Sequence, residues 1–148
     1  MILLDTCVLS EFAKPVPDAS VVAWMTSVPD DGLRVSVLTL GEIRKGADLL
    51  EPGPRRTRVE DWLEGLFKTF GDRILPVDQD VALRWGAISA IAKRSGRIRP
   101  PVDSLLAATA IRYQLAIATR NVTDFEGTGA VIVNPWDFVL VCVTDRPR

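Results

Sequence analysis

The apolar positions of the chain form short runs that alternate with longer patterns of helical period. Residues 1–4 are a continuous apolar run that stops at Asp5, which is typical of a buried strand in a parallel sheet. Short apolar or β-branched segments bounded by turn residues predict four more strands, over 33–37, 73–77, 115–118 and 130–133. The alternation predicts βαβ units, so the expected fold class is α/β: a three-layer α/β/α sandwich with a central parallel sheet of about five strands.

Helices are predicted between these strands. Their expected ranges are 8–13, a segment after Asp18, 39–50, 55–70, a segment from Asp78 and Asp80 to about Gly96, and a segment from 102 onward. Thr39 and Glu42 have the spacing of a capping box at the start of the third helix. The apolar stripe of the fourth helix, from Trp62 to Phe70, is interpreted as a core or partner contact.

Composition limits the class of protein. The chain has 148 residues, 47% hydrophobic and 25% charged, which suits one globular domain. A formal net charge of −1 means that any contact with nucleic acid depends on a local basic patch. No stretch resembles a signal peptide or a membrane span. Cys7 and Cys142 make neither a disulfide framework nor a zinc site, so a cytoplasmic location is expected.

The chain contains no histidine. This absence excludes Ser-His and Cys-His catalytic machinery, histidine-based nucleases and HExxH metalloproteases. Carboxylates therefore remain the main candidates for a general base or a metal ligand. Carboxylates without His or Cys partners favour hard cations such as Mg²⁺ or Mn²⁺.

Four acids are predicted to lie near one rim of the sheet. Asp5 and Asp124 follow strands at their carboxyl ends, where open α/β sheets bind ligands. Glu42 and Asp103 are expected in the first turns of helices. Each acid also has a structural interpretation: Asp5 as an N-cap, Glu42 in the capping box, Asp103 at the helix dipole and Asp124 as a turn former.

The motifs around these acids resemble those of PIN-domain ribonucleases of the VapC/FitB toxin type. The matching segments are Leu4-Asp5-Thr6 with Val8-Leu9-Ser10-Glu11, Glu42-Ile43-Arg44-Lys45-Gly46, Pro101-Val102-Asp103 running into Leu105-Leu106-Ala107-Ala108-Thr109-Ala110, Thr119-Arg120-Asn121 before Asp124-Phe125, and Asn134-Pro135-Trp136. The resemblance implies a PIN domain over residues 1–136, followed by a short extension over 137–148. Cys7 departs from the pattern, since the family usually has Asn there.

The resemblance also implies a site and a reaction. Asp5 and Asp103 would be the main ligands of Mg²⁺ or Mn²⁺, while Glu42 and Asp124 would bind a second ion or hold its waters. Thr6, Thr119 and Asn121 would hydrogen-bond around these ligands. Water would attack the RNA phosphodiester in line, leaving a 5′-phosphate and a 3′-hydroxyl. The basic residues expected to contact RNA are Arg44, Lys45, Arg97, Arg99 and Arg120.

The family implies partners as well. Toxins of this type are inhibited by a cognate VapB/FitA-type antitoxin, whose own DNA-binding domain brings the complex to DNA. A homodimer is a further expectation, and no membrane partner is implied. The sequence does not identify the RNA target, the antitoxin or the number of metal ions.

Two other classes of function stay open at this stage. A PIN fold that binds RNA or protein without cutting is one of them. The other is a different metal-dependent reaction, in a phosphatase or a DNA flap nuclease. A haloacid-type phosphatase would need an acid where Cys7 lies, and a flap nuclease would be longer and richer in acids.

Overall fold

A computed structural model describes residues 1–139 of the chain. Within them, five strands form one sheet: β1 (Ile2–Leu4), β2 (Leu33–Ser36), β3 (Ile74–Leu75), β4 (Ala116–Ala118) and β5 (Val131–Val133). Residues 140–148, with Cys142 and most of the predicted extension over 137–148, lie outside the described residues. All strand pairs are parallel and their order is β3-β2-β1-β4-β5.

The strand order creates a switch point beside β1. From β1 the chain builds β2 and β3 on one side and then returns to place β4 on the other. Leu3 is in register with Arg34 of β2 and with Ile117 of β4. In open α/β sheets, ligands bind at the carboxyl ends of the strands that flank such a point. Asp5 and the segment after β4 occupy this position.

Six α-helices lie among the described residues: α1 (Thr6–Glu11), α2 (Ala19–Ser27), α3 (Val37–Asp48), α4 (Pro54–Phe70), α5 (Gln79–Arg94) and α6 (Pro101–Tyr113). They cover both faces of the sheet. Because successive strand residues point to opposite faces, neighbouring residues of β1 pack against different helices. Leu4 packs in one core cluster with residues of α1 to α4. Leu3 packs in the other with residues of α6. The predicted three-layer α/β/α class is therefore confirmed.

The stripe of α4 divides between the core and the surface. Leu63, Leu66 and Phe70 are buried in the first core cluster, with Trp62 packed against it. Phe67 is 51% exposed. None of the helices in residues 1–139 has the length and hydropathy needed to cross a membrane.

The predicted capping box at the start of α3 is wrong. The helix begins at Val37, and the side chain of Ser36 accepts a hydrogen bond from the Leu38 amide at 3.1 Å. Thr39 is buried inside the helix, with its hydroxyl 3.5 Å from the Leu4 carbonyl oxygen. Glu42 therefore lies in the second turn of α3, where it has no capping role.

Other boundaries differ by a few residues. The third strand is two residues long, lies at the sheet edge and pairs only with Val35 and Ser36 of β2. The first helix begins directly after its N-cap Asp5 instead of at residue 8. Asp18 and Asp78 cap α2 and α5 as predicted, each accepting backbone hydrogen bonds.

Two substitutions test where α3 begins. We expect Ser36→Ala to lower the free energy of unfolding by about 1 kcal/mol, because it removes the N-cap acceptor. Thr39→Val preserves shape and loses only a contact at the distance limit of a hydrogen bond, so we expect a smaller loss. Urea unfolding of both variants measures the two effects. A larger loss of unfolding free energy for Thr39→Val than for Ser36→Ala would support the capping box instead.

Candidate active site

Asp5 is a buried carboxylate at the carboxyl end of the central strand. Its amide donates to the Ala118 carbonyl at 3.1 Å, which places it beside the end of β4. Its Oδ1 accepts from the Thr6 amide at 2.7 Å, so Asp5 is the N-cap of α1. Its Oδ2 accepts from the Thr119 hydroxyl at 2.6 Å. Capping and a role in the site are thus compatible, because they use different oxygens.

Cys7 is part of the same hydrogen-bond network. Its thiol donates to Asp5 Oδ2 at 3.4 Å, and its sulfur accepts from the Arg120 amide at 3.5 Å. Burial and the neighbouring Asp5 carboxylate raise the pKa of the Cys7 thiol. The thiol therefore stays protonated and serves as a donor to Asp5.

Glu42 joins this network through Thr6. The Thr6 hydroxyl donates to a Glu42 carboxylate oxygen, while the Thr6 amide donates to Asp5 Oδ1. A Cβ added at Gly46, one turn later on α3, would have no atom within 4 Å apart from its chain neighbours and the backbone of its own helix. A groove of about 500 Å³ lies there, bounded by Glu42, Gly46 and Val102 among others. This groove leads from α3 to the start of α6.

Asp103 shows that the four acids share one electrostatic environment. It lies in the first turn of α6, which begins with Pro101. The pKa of Asp103 is raised to about 6, first by burial and then by the carboxylates of Asp124, Asp5 and Glu42. The positive charge of Arg99 opposes this rise. The carboxylates of Asp124, Asp5 and Glu42 therefore all lie near enough to disfavour the charged form of Asp103.

Asp124 lies on a 3₁₀ turn, Val122–Phe125, that follows β4. Its side chain is exposed, whereas Phe125 anchors the turn in the core at 2% exposure. Asn121 contributes its backbone amide, which donates to Thr119 Oγ1 at 3.0 Å, and its side chain lies at the surface. Thr119 therefore connects this loop to Asp5.

The donor atoms of the site are carboxylate and hydroxyl oxygens, which hard cations prefer. Carboxylates held near one another repel, and the raised pKa of Asp103 records that repulsion. Among residues 1–139, no three acid or thiol side chains already converge into a complete ligand set. In donor chemistry and in charge, the residues present suit a divalent cation. Closing such a ligand set would require the carboxylates to approach one another.

The five predicted RNA-contacting residues divide into three groups. Lys45 borders the groove beside Glu42 and Gly46. Arg44 points to another side of α3, where it forms a two-bonded ion pair with Asp48 at 2.9 Å. Arg97, Arg99 and Arg120 border the loop after β4. Arg97 and Arg99 donate to backbone carbonyls of that loop, and the Arg120 guanidinium lies 4.9 Å from the centre of the Trp136 ring.

The role of Glu11 was not predicted from the sequence. This carboxylate is 3% exposed, and it accepts from the Asp18 amide at 2.9 Å and from Lys14 at 2.7 Å. It thereby fixes the loop between α1 and α2. A buried acid on a short helix is not distinguishable by pattern from an exposed one.

The fold and the site define an all-parallel α/β domain with a histidine-free acidic centre at its switch point. A PIN-domain family model matches residues 2–129. The chain is 38% identical over 138 residues to VapC ribonuclease Y4jK of Sinorhizobium fredii, covering 93% of this chain and 99% of that one. It is 37% identical over 137 residues to Toxin FitB of Neisseria gonorrhoeae, with coverages of 92% and 99%.

A solved structure agrees with these relatives. The crystal structure of FitAcB from Neisseria gonorrhoeae superposes with a TM-score of 0.86 at 37% identity, covering 93% of this chain and 100% of that one. The chain belongs to the PIN-domain family, in the group that includes the VapC and FitB toxins. The resemblance predicted from its motifs is confirmed.

The raised pKa of Asp103 predicts a pH-dependent stability. Between the ordinary value of 3.8 and about 6, the folded protein keeps a proton that the unfolded chain has lost, so rising pH lowers stability. Asp103→Asn removes this penalty. In EDTA, we expect the melting temperature of the variant relative to wild type to increase from about pH 4 to about pH 7.5.

Exposed Asp61 on α4 supplies the control for that measurement. Asp61→Asn also removes one negative charge, but it lies outside the acid cluster. A temperature difference that stays constant or shrinks for Asp103→Asn as pH rises would contradict the electrostatic environment described for Asp103.

Proposed function

We propose that this protein is a divalent-metal-dependent endoribonuclease and the toxin of a VapBC-type toxin–antitoxin system. The observation that carries the proposal is the proximity of four carboxylates: those of Asp5, Glu42 and Asp124 all contribute to the raised pKa of Asp103. The proposal is also supported by a relative named VapC ribonuclease, which is 38% identical to this chain over most of its length.

Asp5 and Asp103 would hold a Mg²⁺ or Mn²⁺ ion, with Glu42 and Asp124 completing the oxygen-rich surroundings. Such a cation lowers the pKa of water and stabilises negative charge on phosphate oxygens. Aspartate and glutamate oxygens are the ligands that it prefers. The absence of histidine in the chain leaves the carboxylates as the candidate bases.

The surrounding residues orient these carboxylates. Thr119 and Cys7 both donate to Asp5 Oδ2, and the Thr6 amide donates to Oδ1, so the Asp5 carboxylate has little rotational freedom. The Thr6 hydroxyl holds Glu42 in the same way. One carboxylate of the cluster would accept the proton of the attacking water, and in-line displacement would leave a 5′-phosphate and a 3′-hydroxyl.

RNA would approach along the groove that begins at Glu42. Gly46 leaves the α3 face open there, and Lys45 offers a positive charge at its border. Arg120, whose amide donates to the Cys7 sulfur, stacks on Trp136 and offers a second positive charge. Single-stranded loops are the usual targets of sequence-specific RNA recognition, so an unpaired segment of RNA is the proposed substrate.

A cognate VapB/FitA-type antitoxin would cover the protein at a second groove. This groove, of about 570 Å³, lies between α3 and α4 and includes Leu40, Gly41, Leu63 and Phe67. Half-exposed Phe67 gives it an apolar wall that an apolar antitoxin segment would bury. A related complex was solved as FitAB bound to a DNA fragment, so DNA contact would come through the antitoxin. We also propose a homodimer.

Cleavage of RNA by antitoxin-free protein tests the proposed function. We expect wild type to cut total RNA with Mg²⁺ or Mn²⁺ and not in EDTA, leaving 5′-phosphates. Asp5→Asn preserves the capping contact of α1 but removes a ligand charge. Its activity should fall by more than the roughly 10–100-fold that loss of an outer hydrogen-bond partner costs at metal sites.

Asp18→Asn is the matched control, because Asp18 also caps a helix but lies outside the acid cluster. It should cut RNA like wild type. Equal cleavage by Asp5→Asn, or equal cleavage in EDTA, would contradict the mechanism. Well-folded wild type that binds RNA without cutting would favour the non-catalytic alternative.

A further inference from the structure

Two arginines of the segment between α5 and α6 turn toward the loop that carries Asp124. Arg99 Nη1 donates to the Asp124 carbonyl at 2.5 Å. Arg97 Nη1 donates to the Glu126 carbonyl at 3.3 Å. Sequence reasoning assigned both side chains to RNA phosphates, yet in the structure both contact the backbone of this loop.

Gly127 lies in this loop, directly beside the guanidinium groups of both arginines. A Cβ at this position would lie 2.9 Å from Arg97 Nη1 and 3.6 Å from Arg99 Nη2. The residue also has a φ of +71°, which side chains rarely adopt. The lack of a side chain at Gly127 therefore leaves room for the two guanidinium groups, and its φ separately favours glycine.

The loop is held at its other end by the core. Phe125 is 2% exposed, and its carbonyl accepts from the Thr128 hydroxyl at 2.6 Å. The exposed Asp124 lies between this buried anchor and the arginines. The Asp124 carbonyl, bonded to Arg99, belongs to the same residue whose carboxylate faces the acid cluster.

Arg99 also connects directly to the other acid-bearing segment. It precedes Pro100 and Pro101, which begin α6, and Asp103 follows in the first turn. The Pro100 carbonyl accepts from the Ser104 amide at 3.2 Å, so this junction is tied to the helix. A single side chain thus bridges the segments of Asp103 and Asp124.

We propose that Arg99 is a positioning residue of the acid site: its hydrogen bond to the Asp124 carbonyl holds the 3₁₀ turn against the start of α6. The carboxylates of Asp124 and Asp103 are thereby kept in place to receive a divalent cation. Arg97 and Gly127 support the same contact. The role in cation binding rests on the proposed function.

Two other roles for Arg99 predict different results. An arginine that only repels a cation would, when removed, tighten cation binding by about tenfold, the Coulomb effect of a unit charge on a divalent cation at roughly 6 Å in water. An arginine that only contacts RNA phosphate would change RNA affinity and leave cation binding unchanged. A positioning residue, when removed, weakens cation binding. The sign of the change therefore separates the three roles.

The experiment compares Arg99→Ala and Arg99→Lys with a control, Arg94→Ala, which removes an exposed arginine from the last turn of α5. Mn²⁺ is titrated by calorimetry into each full-length protein, and the Mn²⁺ dependence of RNA cleavage is measured in parallel. We expect the lost positioning, which costs about 10–100-fold, to outweigh the lost repulsion, so that Arg99→Ala weakens Mn²⁺ binding by up to about 10-fold. We expect the Mn²⁺ half-saturation for cleavage to rise by the same factor, with a smaller change in the rate at saturating Mn²⁺.

Arg99→Lys keeps the charge but loses the planar group that reaches the carbonyl, so it should bind Mn²⁺ no more tightly than Arg99→Ala. Arg94→Ala should match wild type. Full restoration by Lys, tighter Mn²⁺ binding by Arg99→Ala, or a loss confined to RNA affinity would each overturn the proposal.

Hydrogen exchange without metal supplies a readout that does not depend on activity. The Asp124 and Glu126 amides donate within the turn, and we expect them to exchange faster in Arg99→Ala, whereas the amides of β1 and β4 should be unchanged. Unchanged exchange in the turn would overturn the proposal even if wild type cuts RNA. Wild type that neither binds Mn²⁺ nor cuts RNA would refute the proposed function, while faster exchange would still support the positioning of the turn by Arg99.

Discussion

Repulsion among like charges is the constraint on which the rest of this structure depends. The fold brings four carboxylates to one rim of the sheet, where burial and the other three carboxylates raise the pKa of Asp103 to about 6. Such a group of acids persists only if neighbouring side chains hold each member. Thr119 and Cys7 hold Asp5, Thr6 holds Glu42, and Arg99 holds the turn of Asp124. Most of the unusual local contacts therefore serve one electrostatic purpose.

The topology explains why these residues meet although they are far apart in sequence. The strand order places β4 directly beside β1, so Thr119 lies next to Asp5 across 114 positions of the chain. The helices α3 and α6 then bring Glu42 and Asp103 to the same rim. No long loop is needed, because each acid lies within a few residues of a regular element.

Much of this was predictable from the sequence, for physical reasons. A buried strand that ends in an acid, strands that alternate with helices, and the absence of histidine predict an α/β fold with an acidic rim. The start of α3 was not predictable, because Ser36 and Thr39 are both good caps and only the end of β2 decides between them. The hydrogen bonds of Arg97 and Arg99 to the backbone were not predictable, because a basic segment near acids has the same pattern whether it contacts RNA or a backbone carbonyl.

The most direct measurement is a double-mutant cycle on Mn²⁺ binding, followed by calorimetry in the absence of RNA. Asp5→Asn, Asp103→Asn and the double variant are compared with wild type at neutral pH. If the two carboxylates hold one ion together, each single change should weaken binding strongly, and the double change should cost less than the sum of the two. Strictly additive losses, or binding that neither change affects, would contradict a shared site and with it the central claim.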